Sequence, residues 1–154
     1  MYDGIVGGDI MGARRNMGRF NVDVEIVNYK DVLQVEDGLL APGKVRRKIV
    51  SGVVDSGAAK MVLPLSLVKE LGLPIRKDKV KVKYADGRRG KRSEAGPIEV
   101  RLQGRDSVFN AVVEPKRETA LIGALVLEEL DFLVDCNKQR LVPRDPDNVF
   151  CEIE

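Results

Sequence analysis

The chain has 154 residues, 44% of them apolar and 32% charged, with a formal net charge of +2. That length suffices for one domain with a real hydrophobic core, and the near-neutral charge gives no case for a nucleic-acid binder. The absence of histidine removes Ser-His and Cys-His nucleophile pairs and every metal site that needs imidazole.

Residues 1–17 are rich in Gly and Met and show no period. Residues 1–16 read as a flexible leader or upstream extension, with Met17 able to serve as a start, and 17–154 as the folded domain. From Phe20, apolar Phe20, Val22, Val24 and Ile26 alternate with polar residues, the two-residue period of a half-buried strand. Gly38 to Lys44 reads as a loop, and Val45 to Val54 as a strand ending in a fully apolar pair. A polar turn, Asp55-Ser56-Gly57-Ala58, follows it. Pro64 to Leu71 fits a short helix closed by Gly72.

Val80, Val82 and Tyr84 alternate with lysines, and Ala85-Asp86-Gly87 is a hairpin signal. Ser93 to Leu102 carries Gly96-Pro97, a bend or edge signal. Val108 to Val113 and Ala120 to Gly123 read as strands, Leu125 to Leu130 as a short helix. Phe132 to Val134 and Arg140 to Val142 are strands around an Asn137-Lys138 turn, and residues 143–154 form a tail. Many short strands with one or two short helices make a mainly β domain.

Cys136 and Cys151 are too far apart for a CxxC motif, and two thiols alone cannot complete a structural zinc site. A disulfide is open to them, but two buried free thiols are the expectation in a cytosolic protein. No apolar run reaches membrane-spanning length and none reads as a signal peptide. The chain is therefore expected to be cytoplasmic, with no membrane, nucleic acid, metal or cofactor. The basic clusters at Arg14-Arg15, Arg46 to Lys48 and Arg88 to Arg92 read as solvated faces.

Taken alone, Asp-Ser-Gly is ordinary turn chemistry. Its setting says more: Val53-Val54-Asp55-Ser56-Gly57-Ala58 resembles the active-site loop of the retropepsin-like aspartic proteases. Tyr84-Ala85-Asp86-Gly87 resembles the start of the flap hairpin in bacterial members, with Arg88 next in line. Leu121-Ile122-Gly123 resembles the segment that supports the active-site loop, and Leu125 to Asp135 the helix and closing strand that follow. The resemblance covers roughly residues 20–143 and implies a retropepsin-like acid-protease half-barrel that works as a homodimer.

It further implies an aspartic endopeptidase acting on a polypeptide substrate. Peptide hydrolysis without a metal or a nucleophilic side chain needs a base for water and an acid for the carbonyl and the leaving nitrogen. Two carboxylates sharing one proton supply both, since like charges in contact cannot both ionise. This chain has one Asp-Ser-Gly, so a two-fold dimer would bring Asp55 to its twin. Gly57 would let the backbone approach, and the Ser56 hydroxyl, where Thr is usual, would bond across the dimer.

The basic flap departs from the apolar, glycine-rich flap of viral members. A solvated hairpin is the bland reading and a preference for acidic substrates the other. Asp86 is expected to shape the flap turn, and Asp131 and Asp135 to be solvated or turn-capping acids. The tail through Phe150 and Ile153 is expected to pair between subunits. Two rivals stay open: a catalytically weak dimerisation or peptide-binding module on the same fold, and an unrelated β-barrel carrying the tripeptide by accident.

Overall fold

The computed structural model describes residues 19–154. The leader at 1–16, Met17 and the Arg14-Arg15 pair lie outside the described residues.

The alternation that starts at Phe20 produces β1 (Arg19–Asn28), which buries Phe20, Val24 and Ile26. Antiparallel to it lies β2 (Arg47–Asp55), in register from Arg19 opposite Asp55 to Val27 opposite Arg47. Between them runs α1 (Tyr29–Glu36), a helix that the hydrophobic pattern did not announce. Asn28 caps it by accepting from the Asp31 amide at 3.0 Å, and donates its own amide to the Leu71 carbonyl at 2.9 Å. The expected loop at 38–44 contains one 3-10 turn, Pro42–Lys44.

Next come β3 (Val62–Pro64), α2 (Leu65–Glu70), β4 (Ile75–Lys83), β5 (Arg89–Leu102), β6 (Arg105–Glu114), β7 (Ala120–Ile122), α3 (Ala124–Glu129), β8 (Phe132–Asp135) and β9 (Arg140–Pro143). The domain is mainly β, with three short α-helices among the described residues rather than one or two. None of these helices is long and apolar enough to cross a membrane.

The large sheet runs β1-β2-β7-β3-β6-β5-β4, and β1 also pairs with β5 through Glu25–Arg101 to Asn28–Ile98. Six strands thereby close into a ring, leaving β4 appended to the outside of β5. Ring closure explains the burial pattern: Val24, Ile26, Val54, Leu63, Val100 and Ile122 all point inward and are almost wholly buried. Each contributes roughly 1.5–3 kcal/mol on leaving water. The Gly96-Pro97 signal marks a register break in β5 between Ala95 and Ile98, where pairing passes from β4 to β1.

Two side-chain expectations are corrected and a third holds. Cys136 and Cys151 are free thiols but exposed, because one sits in the β8–β9 turn and the other in the tail. Asp131 is not solvated: it is 6% exposed, pairs with Arg144 at 2.8 Å and accepts from the Phe150 amide at 3.0 Å. Asp135 does cap a turn, accepting from the Lys138 amide at 3.1 Å.

Candidate active site

Asp55 is the last residue of β2, carried to the end of the ring by the buried pair Val54–Ile122. Beyond it the chain turns at once. The Gly57 amide donates to Asp55 Oδ1 at 3.0 Å, and the Ala58 amide donates to the Asp55 carbonyl at 3.2 Å. The carboxylate is thus aimed by its own loop, at 16% exposure, while Ser56 stands in solvent.

The loop is seated from behind by β7 and α3. A Cβ at position 123 would lie 2.5 Å from the Lys60 carbonyl oxygen and 2.8 Å from those of Ala58 and Ala59. Only glycine permits that approach. Next to it the Ala124 and Leu125 amides donate to the Ala58 and Ala59 carbonyls at 2.7 and 2.9 Å. Leu121 and Ile122 hold the segment in register against Val53 and Val54. The expected supporting trio therefore does lie against the expected active-site loop.

Sequence reasoning missed three charged residues around the loop and the hairpin. Arg19 Nη2 lies 3.2 Å from Asp55 Oδ2, placed there by the β1–β2 register. Half-buried Arg117 lies within electrostatic reach of Asp55, Arg19 and Glu114, and donates from Nε to the Thr119 carbonyl at 2.6 Å. Burial, with Arg19 as a like-charged neighbour, draws its basicity below that of an ordinary guanidinium. The third, Glu114, ends β6 and anchors the hairpin described next. Arg19 and Glu114 had no sequence signal, since strand register alone brings them in. The Lys116-Arg117 pair between two strands was the one available hint.

Tyr84 to Arg88 form the tip joining β4 and β5. The Tyr84 amide donates to the Arg88 carbonyl at 2.8 Å, and Gly87 takes φ +90° in the turn. Asp86 shapes it by accepting from the Arg88 amide at 3.0 Å and from Arg88 Nε at 2.7 Å, and Ala85 stays exposed. These contacts hold the Asp86 carboxyl below its usual range. Tyr84 does not hang free. Its hydroxyl donates to Glu114 at 2.6 Å, Arg92 Nε meets the same carboxylate at 2.7 Å, and the Arg88 and Arg92 guanidiniums lie 5.0 and 5.5 Å from its ring centre. Burial first, then Glu114, pushes the Tyr84 phenol upward.

Residues 41–129 match the family model described as "gag-polyprotein putative aspartyl protease". Among solved structures, the EIAV protease complexed with the inhibitor HBY-793 has a similar fold, with a TM-score of 0.52 at 15% identity. The match covers 73% of this chain and 88% of that one. No curated protein matches the sequence.

Proposed function

The chain belongs to the retropepsin-like aspartyl protease family, and on that footing we propose that it is an aspartic endopeptidase whose catalytic carboxylate is Asp55, completed by Asp55 of a second copy. The single observation that carries this reading is the seating of Asp55. A loop locked by the Gly57 amide and backed by Gly123 holds one carboxylate at the open end of the ring. One such acid cannot be general base and general acid at once. Two, meeting on a symmetry axis, share a proton: the ionised one takes a proton from water, and the protonated one hydrogen-bonds the scissile carbonyl and later supplies the leaving nitrogen. The pair titrates as a unit.

In that dimer Ser56, exposed in the single chain, bonds across the axis, and Gly57 leaves room for the twin loop. The β4–β5 hairpin acts as the flap, adding backbone hydrogen bonds to an extended substrate. The exposed apolar side chains of Val149, Phe150 and Ile153 supply surface for pairing at the termini. A second reading, a binding module with little turnover, has one observation in its favour: Asp55 Oδ2 already holds Arg19.

Cleavage of an unfolded protein mixture near pH 4–6, with and without pepstatin, separates the two. Activity that pepstatin blocks and that Asp55→Asn lowers by roughly 10²–10⁴-fold supports the protease. Equal cleavage by wild type and variant removes it.

A further inference from the structure

The β4–β5 hairpin carries two faces with different chemistry. Val80, Val82, Gly90 and Arg92 are half-buried and lie on the side of Glu114. Lys81, Lys83, Arg89 and Lys91 are exposed on the other. The register sets Lys81 directly opposite Lys91 and Lys83 directly opposite Arg89, so both cross-strand pairs on this face are like-charged. Such pairs destabilise a hairpin. Nearby cations of the same arm have carboxylates, Arg92 on Glu114 and Arg88 on Asp86, each at 2.7 Å. None of the four has an acidic partner among the described residues.

The arm is also open at its edges. β4 ends the strand order, and β5 pairs with β6 only from Glu94 onward, so at residues 80–83 and 89–92 the arm is two strands wide. An open cleft of about 400 Å³ along the arm is lined by the four cations together with Val82 and Gly90 of the other face.

We propose that this outer face is a docking strip for an acidic, extended segment of a polypeptide, separate from the cleft that holds the cleaved bond. The inference rests on the protease reading only in taking the partner to be a polypeptide. Charge complementarity selects the partner: four cations in two ranks, without an acidic partner among the described residues, attract an anion of repeated charge. Spacing selects its form. Alternate residues of an extended chain recur every ~6.8 Å, the same interval that separates Lys81 from Lys83. The free edge of β4 offers backbone groups to the incoming strand. Single-stranded nucleic acid fits less well because it needs aromatic platforms for its bases. The arm's aromatic ring, Tyr84, lies between two guanidiniums and is tied to Glu114. Lysines also blunt sheet edges against aggregation, and the test separates that role from docking.

The experiment uses the full chain carrying Asp55→Asn, so that nothing is cleaved and binding is read whether or not the protein is a protease. Fluorescein-labelled probes are a peptide with Glu at alternate positions, its Gln counterpart, and a single-stranded oligodeoxynucleotide of equal charge, followed by anisotropy at low and moderate salt. A double variant, Lys81→Glu with Arg89→Glu, turns both like-charged pairs into attractive ones. The hairpin is kept while the face loses its net charge, and thermal unfolding verifies it. The expected result is binding of the Glu peptide that salt weakens, that the Gln peptide lacks, and that the double variant weakens by about tenfold or more. Equal binding by the double variant, no binding of the Glu peptide at low salt, or tighter binding of the oligonucleotide would each overturn the proposal. Cleavage failing in the Asp55-intact protein would remove the protease and leave this result standing.

Discussion

Asp55 and Asp86 each accept a hydrogen bond from the backbone amide two residues on, at 3.0 Å in both turns. Each turn includes a glycine, at 57 and 87. What lies behind them differs. The Asp55 loop rests on buried β7 and on carbonyls packed against Gly123, with 16% of the carboxylate side chain exposed. The Asp86 turn sits at the tip of a two-stranded arm, 57% exposed. The comparison teaches that an aspartate turn is cheap to make, and that a site is made by the elements that stop the turn from moving.

The harshest way to break the comparison is to change both acids alike. Asp55→Asn should lower peptide cleavage by roughly 10²–10⁴-fold with the melting temperature nearly unchanged. Asp86→Asn should leave both within experimental scatter, and a large loss there would make the hairpin turn part of the chemistry. Gly123→Ala attacks the seat instead of the acid. Its Cβ meets three backbone carbonyls that cannot swing aside, so a loss of about 3 kcal/mol or more is expected in denaturant unfolding. A stability close to wild type would show that the loop does not depend on this approach.

Asp31 tests the support one step further back. Buried within α1, it holds the Arg46 backbone amide and guanidinium at 2.9–3.0 Å, fixing the entry to β2. The Arg46 hydrogen bonds keep its carboxyl below the usual range despite burial. A lowered carboxyl stabilises the fold above its unfolded value and loses that contribution as the pH falls through the folded one. Asp31→Ala should therefore cost about 2 kcal/mol at neutral pH, and less as the medium falls below about pH 4. An undiminished difference at low pH would sink that assignment. A small effect is expected from Arg19→Gln: its side chain is 55% exposed, so stability should change by less than about 1 kcal/mol. A much larger change in unfolding would mean that Arg19 holds the end of β1 in place.

The strands, the loop at Asp55 and the Gly123 segment were legible because period and local turn chemistry encode them directly. α1 was missed because β1 runs straight into it with no glycine or proline between them. Its cap, Asn28 with Asp31 three residues on, was the signal available. Arg19 and Glu114 were invisible for a different reason, and Arg117 was hinted at only by its place beside Lys116 between two strands. Each reaches the site through a register or loop closure between residues far apart in the chain, which no local pattern records. The anchoring of the tail was equally hidden: Arg105 donates to the Leu130, Asp131, Asp145 and Asn148 carbonyls, and Asp131 ties down Arg144 and Phe150.

The closed ring also dictates an order of assembly. β2 has β1 beside it early, but its second neighbour is β7, which lies 68 positions later by its parallel pairing of Val54 with Ile122. β1 likewise waits for residues 98–101 before its far side is covered. A chain emerging from its N-terminus keeps the Asp55 strand as a bare margin until Ala120–Ile122 arrives to insert beside it. The Asp55 corner of the molecule is thus among the last pieces to become whole, and an interrupted chain ending before residue 120 would lack it.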